Sequence, residues 1–173
     1  MSFSIAQIIR RLIAPRHKLS CSWFLWQRLT HDLRQRGLNE TRESGAFFLG
    51  RVDADGAARI VDYVLYDDLD PHSLDSGIVR FDGRYFAKLW SICRARNLTV
   101  IADVHVHPGS AGQSHSDRTH PMISQAGHLA MILPNFARAP LPREEIGFYR
   151  YAGDMRWSDV PRAERRDFFH IGL

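Results

Sequence analysis

The chain is expected to fold as a mixed α/β domain built around a central β-sheet. Apolar residues recur with a helical period in some stretches and gather into short β-branched and aromatic runs in others, and the two kinds of stretch interleave. The second observation is size. A chain of 173 residues, 45% of them hydrophobic, can bury one core without disulfide staples.

The elements follow in order. Ile5, Ile8, Ile9, Leu12 and Ile13 share one face of a helix over 4–14, which Pro15 ends. This helix is expected to pack on the domain or on a dimer mate. A second helix starts from a Ser20 or Ser22 cap, carries a stripe of Leu25, Trp26, Leu29 and Leu33, and stops at Gly37. Trp23 and Phe24 are read with Trp26 as core. GAFFLGRV (45–52) and ARIVDYVLY (58–66) flank the turn residues DADGA and read as a hairpin. Residues 67–79 are polar and broken by Pro71 and Gly77, so they read as a loop. Asp82 caps a third helix with Tyr85, Phe86, Leu89, Trp90 and Cys93 as its buried face. LTVIADVHVH (98–107) is a strand, and 108–127 is read as a loop that can hold a short helix. HLAMILP (128–134) is a strand ended by Pro134, and 145–153 with 154–157 form a final pair. A short helix is expected within 160–169. The expected organisation is a helical arm and helix (1–38), a central domain (39–158) and a C-terminal tail or helix (159–173).

Composition narrows the function classes. The net charge of +4 comes almost wholly from arginine, since Lys18 and Lys88 are the lysines. These charges do not cluster with aromatics and no nucleic-acid-binding motif is present, so no nucleic acid partner is expected. No run approaches the roughly 20 apolar residues of a membrane span. The N-terminal apolar run is cut by Arg10 and Arg11 without a cleavage site, which argues against a secretory signal. The expected compartment is the cytoplasm, with Cys21 and Cys93 as reduced core thiols.

The chemistry lies in DVHVHPGSAGQSHSD (103–117). His105 and His107 are two apart at a strand end, so their imidazoles share one face. Pro108 turns the chain out of the sheet, and Gly109 and Gly112 allow it to curl back with Asp117. Two imidazoles and one carboxylate are the three protein ligands of a catalytic zinc site, with a fourth position left for water. An H-x-H pair alone also occurs as ordinary surface or core histidines. The S-x-x-D at Ser114–Asp117 sharpens the pattern.

These residues together resemble the JAB/MPN (JAMM) metallopeptidases, in the bacterial deubiquitinase-like branch. That family carries an upstream glutamate, then H-[S/T]-H-P, a short loop and S-x-x-D. Here Glu43 precedes GAFFLG, His105-Val106-His107-Pro108 follows, and Ser114 and Asp117 complete the pattern, with GHLAMILPNF (127–136) similar to the next family strand. Val106 replaces the usual Ser or Thr, and the loop from His107 to Ser114 is one residue shorter than is commonest. His115 and His120 are nearby rival ligands, but Asp117 completes the motif.

The resemblance implies a three-layer fold, with a JAB/MPN-like central sheet flanked by helices. It implies Zn2+ held by His105, His107 and Asp117, Glu43 as general base and Ser114 as oxyanion donor, with Asp103 or backbone carbonyls orienting the imidazoles. The implied substrate is a ubiquitin-like protein or its conjugates, cut after the C-terminal glycine, with conjugation enzymes as possible partners. The segment 67–80 would clasp the substrate tail through Asp67, Asp70, His72 and Ser73. A non-catalytic MPN scaffold and a sulfur-carrier-processing peptidase are the alternatives. A zinc deaminase is not supported, because neither H-x-E nor P-C-x-x-C occurs.

Overall fold

The hairpin read over 45–66 is the centre of the molecule. The computed structural model describes residues 17–38 and 40–172. The helix expected over 4–14, and any dimer contact through it, lie outside those residues. Strands β2 (Gly45–Val52) and β3 (Ala58–Leu65) pair antiparallel, with a register shift at Leu49/Gly50. Gly56, in the connecting turn, has φ +80°, a conformation an L side chain resists.

Strand β4 (Thr99–Val106) lies against β2, and β5 (Leu129–Leu133) runs parallel to β4 on its other side. Strands β6 (Gly147–Gly153) and β7 (Arg156–Asp159) extend that edge. At the opposite edge lie two short strands the sequence did not predict, β1 (Leu19–Ser22) and β8 (Phe169–Gly172). The eight strands form one mixed sheet in the order β7-β6-β5-β4-β2-β3-β1-β8.

Helices cover both faces, and the pleat of β2 sorts the core between them. Ala46 and Phe48 face helix α1 (Trp23–Arg36), whose Leu25, Trp26, Leu29 and Leu33 are buried against the sheet. Phe47 and Leu49 face helix α3 (Phe86–Arg96) through Leu89 and Cys93. On β4, Ala102, Val104 and Val106 join the α1 side. The alternation turns Asp103 and His105 the other way, and both are buried.

Several expectations are corrected. Ser22 caps α1, accepting the Leu25 N–H at 3.2 Å, while Ser20 is part of β1. Trp23 and Phe24 are 51% and 70% exposed, not core. One turn on, they share their helix faces with the exposed Gln27 and Arg28, outside the apolar stripe. Trp90 is 38% exposed and stacks on Phe86 at 5.6 Å instead of entering the core. The 67–79 segment opens with a helical turn, α2 (Tyr66–Leu69). Asp82 caps a 3-10 turn that leads into α3. The terminal helix is confined to a 3-10 turn followed by α5 (Arg165–Phe168), after which the chain becomes β8. Among the described residues no helix is long and apolar enough to cross a membrane.

Candidate metal centre

The backbone register explains how Glu43 meets histidines about sixty residues away in sequence. Gly45 pairs with His105 across the β2–β4 ladder, and the Val106 N–H donates to the Ser44 carbonyl at 3.0 Å. Continuing the antiparallel register by two residues sets Glu43 opposite His107. The Glu43 Oε1 lies 3.7 Å from His107 Nε2. Its Oε2 accepts the Val79 N–H at 3.2 Å, and its own N–H donates to the Gly77 carbonyl.

Gly45 is required here. A Cβ on it would come within 2.2 Å of the Tyr66 ring and 2.7 Å of the Val104 carbonyl oxygen. Tyr66 is fully buried, and its hydroxyl reaches Asp103 at 3.4 Å.

Asp117 arrives on α4 (His115–Thr119), the short helix expected in the 108–127 loop. Ser114 caps it. The Ser114 Oγ accepts the Asp117 N–H at 3.2 Å, and the Asp117 Oδ2 accepts the Ser114 N–H at 2.6 Å. This reciprocal capping box fixes the carboxylate toward the histidines. Asp117 Oδ1 is 3.4 Å from His105 Nε2, and Oδ2 is 3.3 Å from His107 Nε2. The two Nε2 atoms are 3.0 Å apart.

Among the described residues, His105, His107 and Asp117 are the group whose ligand atoms converge, all within 4.8 Å. His115 and His120 do not join them. The triangle fits a metal ion. Tetrahedral zinc with bonds of about 2.0–2.1 Å sets ligand atoms roughly 3.3 Å apart; here the two Nε2 atoms are 3.0 Å apart, and each faces its own Asp117 oxygen, at 3.4 Å for His105 and 3.3 Å for His107.

Electrostatics favours the same use. Burial works to raise the Asp117 carboxyl, but His105, His107 and the Ser114 N–H outweigh it and hold it well below the usual carboxylate range. Burial works to lower His105, yet Asp117 and the other nearby carboxylates push it above its ordinary 6.5. The site is therefore an anion beside two imidazoles, ready to exchange a proton for a cation.

The expected orientation of His105 by Asp103 is not found. Asp103 is buried against His128, with Nε2 2.6 Å from Oδ1, while His105 Nδ1 is buried without a hydrogen-bond partner. The expected tail residues are spread out. Asp67 pairs with Arg36, and His72 is exposed beside Asp75. Asp70 is buried and accepts the N–H groups of His72 and Asp82, both at 3.0 Å, which closes the loop on itself. Ser73 is buried, with its hydroxyl unpartnered.

The sequence reading missed a left-handed turn at Asn135, Phe136 and Ala137, with φ between 51° and 57°. It buttresses the chain after His107, because the Phe136 N–H donates to the His107 carbonyl and the Asn135 N–H to that of Gly109. The asparagine after Pro134 was the one local hint, since Asn tolerates this conformation.

No family model matches the chain. It is similar to a protein of Sinorhizobium fredii named "Probable metalloprotease y4jG", with 37% identity over 68 residues. That stretch is 39% of this chain and 42% of the relative, so the chain spans less than half of the relative's length. Its fold is similar to the solution structure of protein DSY2949 from Desulfitobacterium hafniense. The TM-score is 0.61 and the identity 14%, covering 83% of this chain and 90% of that one.

Proposed function

We propose that the chain is a zinc-dependent peptidase of the JAB/MPN type. It hydrolyses the peptide or isopeptide bond after the C-terminal glycine of a ubiquitin-like protein. The observation that carries the reading is the triangle of His105, His107 and Asp117 at zinc-ligand spacing, with the Glu43 carboxylate beside it. The name of the Sinorhizobium relative supports the same class.

A zinc ion held by His105, His107 and Asp117 would lower the pKa of a bound water toward neutrality and would polarise a substrate carbonyl. The remaining work belongs to the chain. Glu43 receives a proton through Oε1, since Oε2 is engaged by the Val79 N–H, and passes it to the leaving amine. Ser114 Oγ accepts from the Asp117 N–H and keeps its own hydrogen. That hydrogen serves the carbonyl oxygen as negative charge develops, an effect worth about 100- to 1,000-fold in rate. The segment 67–80 clasps an extended substrate tail beside the metal centre. Its attachment to Glu43 through Gly77 and Val79 couples tail binding to the base.

The test is zinc analysis of the purified chain, then incubation with a panel of ubiquitin-like fusions and conjugates with and without a chelator. Cleavage should be chelator-sensitive. His105→Ala or Asp117→Ala should lose zinc and turnover together. Glu43→Ala should keep zinc and lose about 100- to 10,000-fold in turnover. Undiminished turnover in Glu43→Ala would assign the base elsewhere, and a chain that takes up no zinc would end the reading.

A further inference from the structure

The metal centre opens sideways into a cleft of about 350 Å3. Val79, Arg80 and Phe81 form one wall, and Asp117, His120 and Met122 belong to the other. The first wall is rigid. Val79 is buried and bonded to Glu43, and the Arg80 N–H donates to the Ser73 carbonyl at 2.9 Å. Phe81 packs on Phe47 and Phe86, each at 5.1 Å. The backbone of Arg80 is therefore held on both sides while its side chain stays exposed at the cleft.

Charge is distributed unevenly there. Away from the cleft, Arg36, Arg84, Arg138 and Arg162 are each ion-paired, while others such as Arg118 and Arg150 form no ion pair among the described residues. Arg80 has no acidic partner among the described residues. The carboxylates nearest its wall are already committed: Asp117 directs both oxygens at the histidines, and Glu43 is held between His107 and the Val79 N–H. A bound divalent cation would offset Asp117 further. The cleft then presents an exposed guanidinium on an anchored stretch of backbone, between Val79 and Phe81 and across from the candidate metal ligand Asp117. A guanidinium in that setting recognises a carboxylate through paired N–H donors.

We propose that Arg80 is a specificity-determining residue, which receives a substrate carboxylate within a residue or two of the scissile bond. The inference rests on the metallopeptidase reading and adds a substrate class to it: peptides carrying an acidic side chain or a free terminal carboxylate at that position. Apolar contact with Phe81 and Met122 accommodates the stem that bears the charge.

Short peptide hydroxamates test this, because the hydroxamate anchors to the metal and one neighbouring side chain is varied. The series carries Glu, Gln or Lys with an amidated C-terminus, plus a glycine member with a free C-terminal carboxylate. Binding to the zinc-loaded full chain is measured by calorimetry, so no turnover is needed. The Glu member should bind about tenfold or more tighter than Gln, and Lys weakest. Arg80→Gln should abolish the difference, Arg80→Lys should keep part of it, and Arg80→Glu should reverse it toward Lys. A preference shown by the free-carboxylate glycine peptide instead of Glu would assign the terminal carboxylate as the ligand.

Zinc-dependent binding of all members with equal affinity would overturn the proposal and leave the metallopeptidase reading standing. A preference for Glu that persists in Arg80→Gln would overturn it as well. Failure of every hydroxamate to bind the zinc-loaded chain would count against both.

Discussion

Gly45→Ala tests whether the fold and the metal centre are one mechanical unit. The new methyl would lie 2.2 Å from a ring carbon of Tyr66 and 2.7 Å from the Val104 carbonyl oxygen. Neither neighbour yields easily. Tyr66 is fully buried, packed against Phe47 at 4.7 Å, and Val104 belongs to a central strand. Overpacking of this kind costs about 1–3 kcal/mol. For a domain of this size that lowers the melting temperature by roughly 2–12 °C.

The damage should also reach the site. Gly45 pairs with His105, so separating β2 from β4 moves Glu43 and the two histidines relative to one another. We expect weaker zinc retention in competition with a chromophoric chelator, alongside the lowered melting temperature. Gly83→Ala is the control, because a Cβ there meets nothing within 4 Å. A Gly45→Ala protein with unchanged melting temperature and unchanged zinc affinity would refute the reasoning.

Further predictions concern pH and the β6–β7 turn. His105 is raised above 6.5, so its contribution to the metal-free fold is present below that pH and lost as pH rises through its folded value. Asp117 is lowered from 3.8, so its contribution is present above that pH and lost as pH falls below it. The metal-free protein should thus gain most from this pair between about pH 4 and 6.5, checked by denaturation across pH. Zinc must displace the His105 proton, so its apparent affinity should rise with pH over the range where His105 titrates. Calorimetry in buffers of different ionisation enthalpy should register the released proton. Asp154 and Met155 turn the β6–β7 hairpin with φ of 52° and 57°, a conformation that favours glycine at the second position. Met155→Gly should therefore stabilise the fold by about 1 kcal/mol, read as a rise of roughly 2–4 °C in melting temperature.

The convergence of the candidate ligand residues was legible because their signals are local. A strand period puts His105 and His107 on one face, and the Ser114–Asp117 spacing is that of a capped helical turn, which aims the carboxylate. The hairpin, β4, β5 and the stripes of α1 and α3 were readable for the same reason, since each buries its own apolar pattern. What sequence alone could not settle was pairing and exposure. Glu43 joins the histidines only through the β2–β4 register, a relation between segments about sixty residues apart. The strands β1 and β8 alternate apolar and polar residues over only four positions each, too few to be read as strands alone; they form because β1 pairs with β3 on one side and with β8 on the other. Trp23, Phe24 and Trp90 are apolar by composition yet exposed by position, because a helix buries one stripe and its tertiary neighbours decide which residues fall outside it. Side-chain chemistry and local periodicity were thus written in the chain, whereas partners distant in sequence, and the solvent each group gives up, were fixed only when the sheet closed.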